Sequence, residues 1–219
     1  FQTSFFPSEV KTFVVEAVTA AAAKPRVHVK YIPERTDVAW ESDRIAYRTY
    51  GQLLWHLENL HSSGVDVWVK RTRDLVLDKW YAAGHDAYHL DKGEGADFYK
   101  VGPTLGGGAT AIWRGGKMHR AENFKTYRII ADGPIRAIFE LDFEPWDADG
   151  LKVTETKRFA IDAGQNLYWQ QSVFTAQGGQ TDTIQYAVGF VKRPGLVGST
   201  SGARSWAWLT GWGPVDNKV

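Results

Sequence analysis

Residues 134–143 alternate: Ile135, Ala137, Phe139, Leu141 and Phe143 share one face, while Arg136, Glu140 and Asp142 share the other. Side chains on extended backbone point to opposite faces in turn, so this run fits a strand with one face in a core and fits no helix. Residues 127–131, 151–161, 167–175, 183–192 and 204–209 continue the pattern at short intervals. The links Asp132-Gly133, Asp149-Gly150, Ala163-Gly164 and Gly178-Gly179 carry turn chemistry. Upstream, 11–18 and 27–32 are apolar, β-branched runs, 45–50 reads as a strand, and Val65, Val67 and Val69 alternate with Asp66, Trp68 and Lys70. Helical spacing is confined to 73–83, stopped by Gly84, with a short helix or loop over 52–61. Many strands and few short helices predict an all-β fold, an antiparallel β-sandwich of supersandwich-like form.

A chain of 219 residues can build one sizeable core, and no repeat or long linker divides it, so residues 1–219 are expected to form a single domain. The stop soon after the Trp206, Trp208 and Trp212 cluster predicts that the C-terminal part of that domain is missing. A net charge of +1 gives no electrostatic case for a nucleic-acid partner, and no apolar run is long enough to span a bilayer. Cysteine is absent, which excludes thiolate metal sites, disulfides and a cysteine nucleophile. Ten Trp and nine Tyr are a high share that can fill a β core but also supply flat, hydrogen-bonding platforms for sugar rings.

Residues 88–113 are where titratable groups concentrate. Tyr88, His89, Asp91, Glu94, Asp97 and Tyr99 fall close together, followed by the glycine run 102–108. Such density suits a site, or else a solvated acidic loop with a glycine turn. His89 among these acids is the natural proton carrier, with its pKa raised and its tautomer held by carboxylates; His85 lies close to it. Asp91, Glu94 and Asp97 at spacing three suit Ca²⁺ or Mg²⁺ or a solvated loop, and no cofactor is required. Strand periodicity puts Arg44 and Arg48 on one face, as an anion clamp or as partners of Glu41 and Asp43. Trp68 and Lys70 share a face, with Arg71 next, as a platform for an acidic sugar or as the polar face of an edge strand. No phosphate loop, dinucleotide fingerprint, nucleophile elbow or His-Glu-x-x-His motif occurs, which leaves hydride transfer, phosphoryl transfer and serine hydrolysis without support.

The blocks AWESDRIAYRTYG, SGVDVWVKRT, YHLDKGEGADFYKVG, GGGATAIW and DGPIRAIFELDF together resemble one bacterial family. It is the family of the ulvan-oligosaccharide dehydratase, once filed as a domain of unknown function and common in polysaccharide-utilisation loci. The resemblance implies a periplasmic or secreted carbon–oxygen lyase. Its substrate would be an acidic oligosaccharide, from whose non-reducing-end uronic acid it removes water to leave a 4,5-unsaturated residue. Such a β-elimination must neutralise the carboxylate, take the C5 proton and protonate the departing 4-hydroxyl. For these tasks the chain offers Arg44, Arg48 or Arg71, then His89, then Tyr88 or Tyr99, with Trp40 and Trp68 to stack on the sugar and Glu41 and Lys70 to bind it. A non-catalytic carbohydrate-binding sandwich and a glycoside hydrolase pairing Glu94 with Asp97 are the alternatives.

Overall fold

The computed structural model describes residues 3–16, 22–179, 183–203 and 206–214. About 49% of the chain is strand and 6% helix, so the fold is all-β. The first sheet joins β1 (Val27–Ile32), β2 (Asp37–Ser42), β3 (Ile45–Thr49), β4 (Asp66–Lys70) and β5 (Gly95–Asp97) in sequence order, antiparallel throughout. Then come β6 (Gly107–Arg114) and β7 (Lys117–His119), which pair with each other and belong to a smaller sheet. A second five-stranded sheet follows: β8 (Phe124–Asp132), β9 (Arg136–Phe143), β10 (Trp146–Asp147), β11 (Lys152–Asp162) and β12 (Tyr168–Gln177). In it β11 is central, flanked by β12 on one side and by β9 and then β10 on the other. β13 (Tyr186–Phe190) completes the smaller sheet beside β6, and β14 (Val197–Ala203) pairs with β15 (Trp206–Trp212) as a ribbon.

The two five-stranded sheets pack face to face as a sandwich. Val27, Val29, Val38, Trp40 and Tyr47 from the first meet Ala137, Phe139, Leu141, Phe143, Phe159 and Ile161 from the second. The alternation of residues 135–143 is realised as read: its apolar members from Ala137 onward are buried in this core. Trp40 lies fully buried at its centre, 4.9 Å from the Phe139 ring and 5.1 Å from Phe159. A sugar-stacking role for Trp40 is therefore corrected to a core role.

Other expectations are corrected too. Residues 11–16 form no strand, and the rest of that apolar run lies outside the described residues. The expected helix over 73–83 is shorter, α2 (Leu77–Ala82), after a one-turn α1 (Leu54–Leu57). Of the glycine run 102–108, residues 102–105 stay in a loop as read, while Gly107 and Gly108 open β6, whose start lies against the first sheet. A Cβ at Gly106 would sit 2.2 Å from the Val65 carbonyl oxygen and one at Gly107 would sit 2.5 Å from a Val67 methyl. Glycine is needed here for close approach, not for flexibility.

Candidate active site

The first sheet has a second face, turned away from the sandwich core. Odd positions of β2 (Asp37, Ala39, Glu41) and even positions of β3 and β4 (Ala46, Arg48, Asp66, Trp68, Lys70) point there, with Gly95 and Asp97 of β5. Register sets Arg48 opposite Ala39 and Asp66, and Trp68 opposite Ala46 and Asp97, so large and small side chains interleave. Leu77, Trp80 and Tyr81 of α2 and Tyr88 of a one-turn 3₁₀ helix (Ala87–His89) roof this face. The face that alternation marks as polar is thus buried, and Val69 on the supposed inner face is 44% exposed.

Arg48 is the hub. Its Nε and Nη2 donate to Asp66 Oδ2 at 3.0 and 2.7 Å, Nη2 also donates to Asp97 Oδ2 at 3.0 Å, and Nη1 donates to the Tyr88 hydroxyl at 2.8 Å. Asp37 Oδ2 lies 3.8 Å from Nη1 and accepts from Arg35 and from the Tyr81 hydroxyl. The guanidinium lies about 5 Å from the rings of Tyr50, Trp68 and Tyr88. Three buried carboxyls around one buried arginine cannot all ionise cheaply. Burial, then the Asp66 charge, pushes the Asp97 carboxyl up to about 8 against the pull of Arg48. Burial pushes Asp37 up to about 6, opposed by Arg48 and Arg35.

His89 stands at the edge of this cluster with its side chain 39% exposed. Its Nδ1 lies 3.2 Å from the Asp97 carbonyl oxygen and 3.4 Å from Asp97 Oδ2. A carbonyl can only accept, so this contact selects the Nδ1–H tautomer and leaves the Nε2 lone pair available. Burial, with the Arg48 charge adding to it, pushes the imidazole pKa down. The upward shift expected from neighbouring acids is corrected, and the ring is held neutral. The His85 ring centre is 4.9 Å away. Tyr88 and Leu90, on either side of His89, line a cavity of about 270 Å³ whose rim carries Lys79, Lys92 and Glu94.

The other candidates separate. Arg44 is exposed in the β2–β3 turn and does not join Arg48, so the two-arginine clamp is corrected to one buried hub and one surface residue. Lys70 and Glu41 are wholly buried partners at 2.6 Å, and Glu41 also accepts from the backbone N–H groups of Val76 and Leu77, fixing the start of α2. Both side chains are sealed from solvent. Glu41→Gln is expected to cost about 1–3 kcal/mol in urea unfolding, because Lys70 keeps its charge without a full partner. Trp68 is fully buried, stacked on Tyr88 at 4.7 Å and donating to Asp66, so it supports the site and offers no sugar platform.

Tyr88 is buried too, and burial pushes its phenol pKa up, which disfavours it as a proton donor. Tyr99 donates to the Gly106 carbonyl at 2.8 Å, on the side of Leu54, Leu60 and Val101. Arg71 remains exposed and pairs with Asp91 at 2.8 Å. Asp91, Glu94 and Asp97 bond separately to Arg71, Lys79 and Arg48, and among the described residues no group of acids and histidines gathers as a metal would require. The three acids are thus each held by a separate cation. The same bonds keep Glu94 and Asp97 from facing each other as a hydrolase pair. Asp37, Asp66 and Tyr81 were not singled out by sequence reasoning; acids at alternate positions opposite Arg48 were the available signal.

A family described as a domain of unknown function, DUF4861, matches residues 1–219. The chain belongs to the DUF4861 family. An uncharacterized protein, P7, of Formosa agariphila is 33% identical to this DUF4861 chain over 180 residues. That match covers 76% of the chain and 46% of the relative, so the chain spans under half the length of that protein. No solved structure matches it.

Proposed function

We infer that this DUF4861 domain catalyses β-elimination of water from a uronic acid in an acidic oligosaccharide. The observation that carries the reading is His89: a half-exposed imidazole with Nδ1 engaged by Asp97 and Nε2 left available, its chain neighbours Tyr88 and Leu90 lining a cavity. The substrate class rests on the sequence resemblance. In this reaction His89 Nε2 takes the C5 proton, the electron pair forms the C4–C5 double bond, and the C4–O bond breaks. His85 gives a proton to the departing hydroxyl, which leaves as water. Exposed Arg71, with Lys79 and Lys92 of the cavity rim, offsets the sugar carboxylate and the negative charge that builds beside it. Buried Arg48 acts at one remove, by holding Asp97 against His89.

Elimination conjugates the new double bond with the carboxylate, so the product absorbs in the ultraviolet. Expected is a rise in absorbance when the chain meets a saturated uronic oligosaccharide, slowed by about 10²–10⁴-fold in His89→Ala. A folded His89→Ala chain with wild-type turnover removes His89 as base. Reducing ends without absorbance would mean hydrolysis, and binding with neither signal would mean a non-catalytic module.

A further inference from the structure

On the opposite side of the sandwich, the outer face of the second sheet carries a groove of about 640 Å³. Its floor follows from register. Trp169 of β12 pairs with Ala160 of β11, which pairs with Ile138 of β9, so a large flat ring stands beside two smaller apolar side chains in one row across the sheet. Because its neighbour is an alanine, the Trp169 ring keeps an open flank and is 52% exposed, with Leu167 beyond it 77% exposed. The edges are polar. Arg136 forks onto Asp162 through two bonds of 2.6 and 2.7 Å, and Arg158 bonds Glu140, which Arg128 also engages. Gln165 adds an amide at the groove's end. Two arginines and one acid line the groove itself, with Glu140, the partner of Arg158, just outside it.

We propose that this groove is a second carbohydrate site, in which the Trp169 ring takes the C–H face of a pyranose and Arg158 and Arg136 take a carboxylate or sulfate on the same chain. An aromatic plane with hydrogen-bonding guanidinium groups beside it matches a sugar ring's apolar face and polar edge. Half-exposed guanidiniums already tied to one carboxylate keep N–H donors to spare, since each has five. The proposal shares the acidic-sugar class with the reading above but uses other residues on another sheet. It holds a long chain on the domain while the His89 side works on an end.

Calorimetry decides it, with a purified uronic oligosaccharide and a neutral oligosaccharide of equal length as probes. The expected result is preference for the acidic probe, weakened at least about tenfold by Trp169→Ala. Arg158→Gln should lose most of the acidic preference, and as an exposed residue its replacement leaves the core intact. Both variants are read by binding alone, so the outcome stands apart from whether the chain yields an ultraviolet-absorbing product, the readout of the elimination reading. Unchanged affinity in both Trp169→Ala and Arg158→Gln would overturn the proposal, as would equal affinity for the two probes or no binding by the intact chain. Self-association abolished by Trp169→Ala, without sugar binding, would overturn it in favour of an interface between copies.

Discussion

Arg48→Leu should cost about 3–5 kcal/mol of folding stability, the range for removing one partner from a buried ion pair. That is a large part of the about 5–15 kcal/mol that holds a typical domain together. The loss comes less from missing attraction than from what stays behind. Asp66 and Asp97 would each keep a buried carboxyl without its guanidinium, and the Tyr88 hydroxyl would lose its donor. Leucine fills much of the stem volume, so the change isolates charge from cavity formation. Adding Asp66→Asn to Arg48→Leu should return part of the stability, since Asp66 takes two of the guanidinium's bonds and an amide carries no charge to strand. Urea unfolding of the single and double variants measures both. A single variant within about 1 kcal/mol of wild type would show that the arginine network is not what holds the first sheet to its roof.

The second large effect is on pH. The folded chain holds protons on Asp97 up to about 8 and on Asp37 up to about 6, both above the usual value of 3.8. Groups raised in this way favour the folded state fully below 3.8, and their contribution is lost as pH climbs through about 6 and then about 8. Stability should therefore decline from mildly acid to mildly alkaline conditions, by at most about 1.4 kcal/mol per pH unit for each proton involved. His89, with its pKa pushed down, works in the opposite sense but only below its ordinary 6.5. Glu58 and Asp43, both lowered overall by arginine partners that outweigh their burial, destabilise the fold only as pH falls through their own range. The expected optimum thus lies at about pH 4, with a decline toward about pH 8 that Asp97→Asn flattens in its upper part. Thermal unfolding from pH 5 to 9 on both chains is the measurement, and parallel curves would contradict the assignment of that decline to Asp97.

These two effects arise from side chains whose residue types are plain in the sequence but whose environment is not. Alternation correctly marked β9 and its core face, because a period of two with one buried face leaves a regular imprint on residue choice. The same rule misjudged β4. Asp66, Trp68 and Lys70 look like a solvated face, yet α2 and the 3₁₀ turn cover them, and their charges are met by Arg48 and Glu41 from neighbouring strands. Polar residues facing other polar residues in a covered layer have the same local pattern as polar residues facing water. The pattern records hydrophobicity, whereas burial depends on what packs on top.

The sequence by itself determined an all-β chain with turn-linked strands and directed attention to the segment around His89. Only the tertiary structure decided which of its candidates act together. Trp40 went to the core and Arg44 to a surface turn, while Glu41 and Lys70 went to a helix start and Arg48 to the centre of three acids drawn from β2, β4 and β5. The physical reason is that a carboxyl's charge and a histidine's tautomer are set by burial and by partners within a few ångströms. Here those partners, Arg48 and Asp97, lie 49 positions apart in the chain and meet only through strand register.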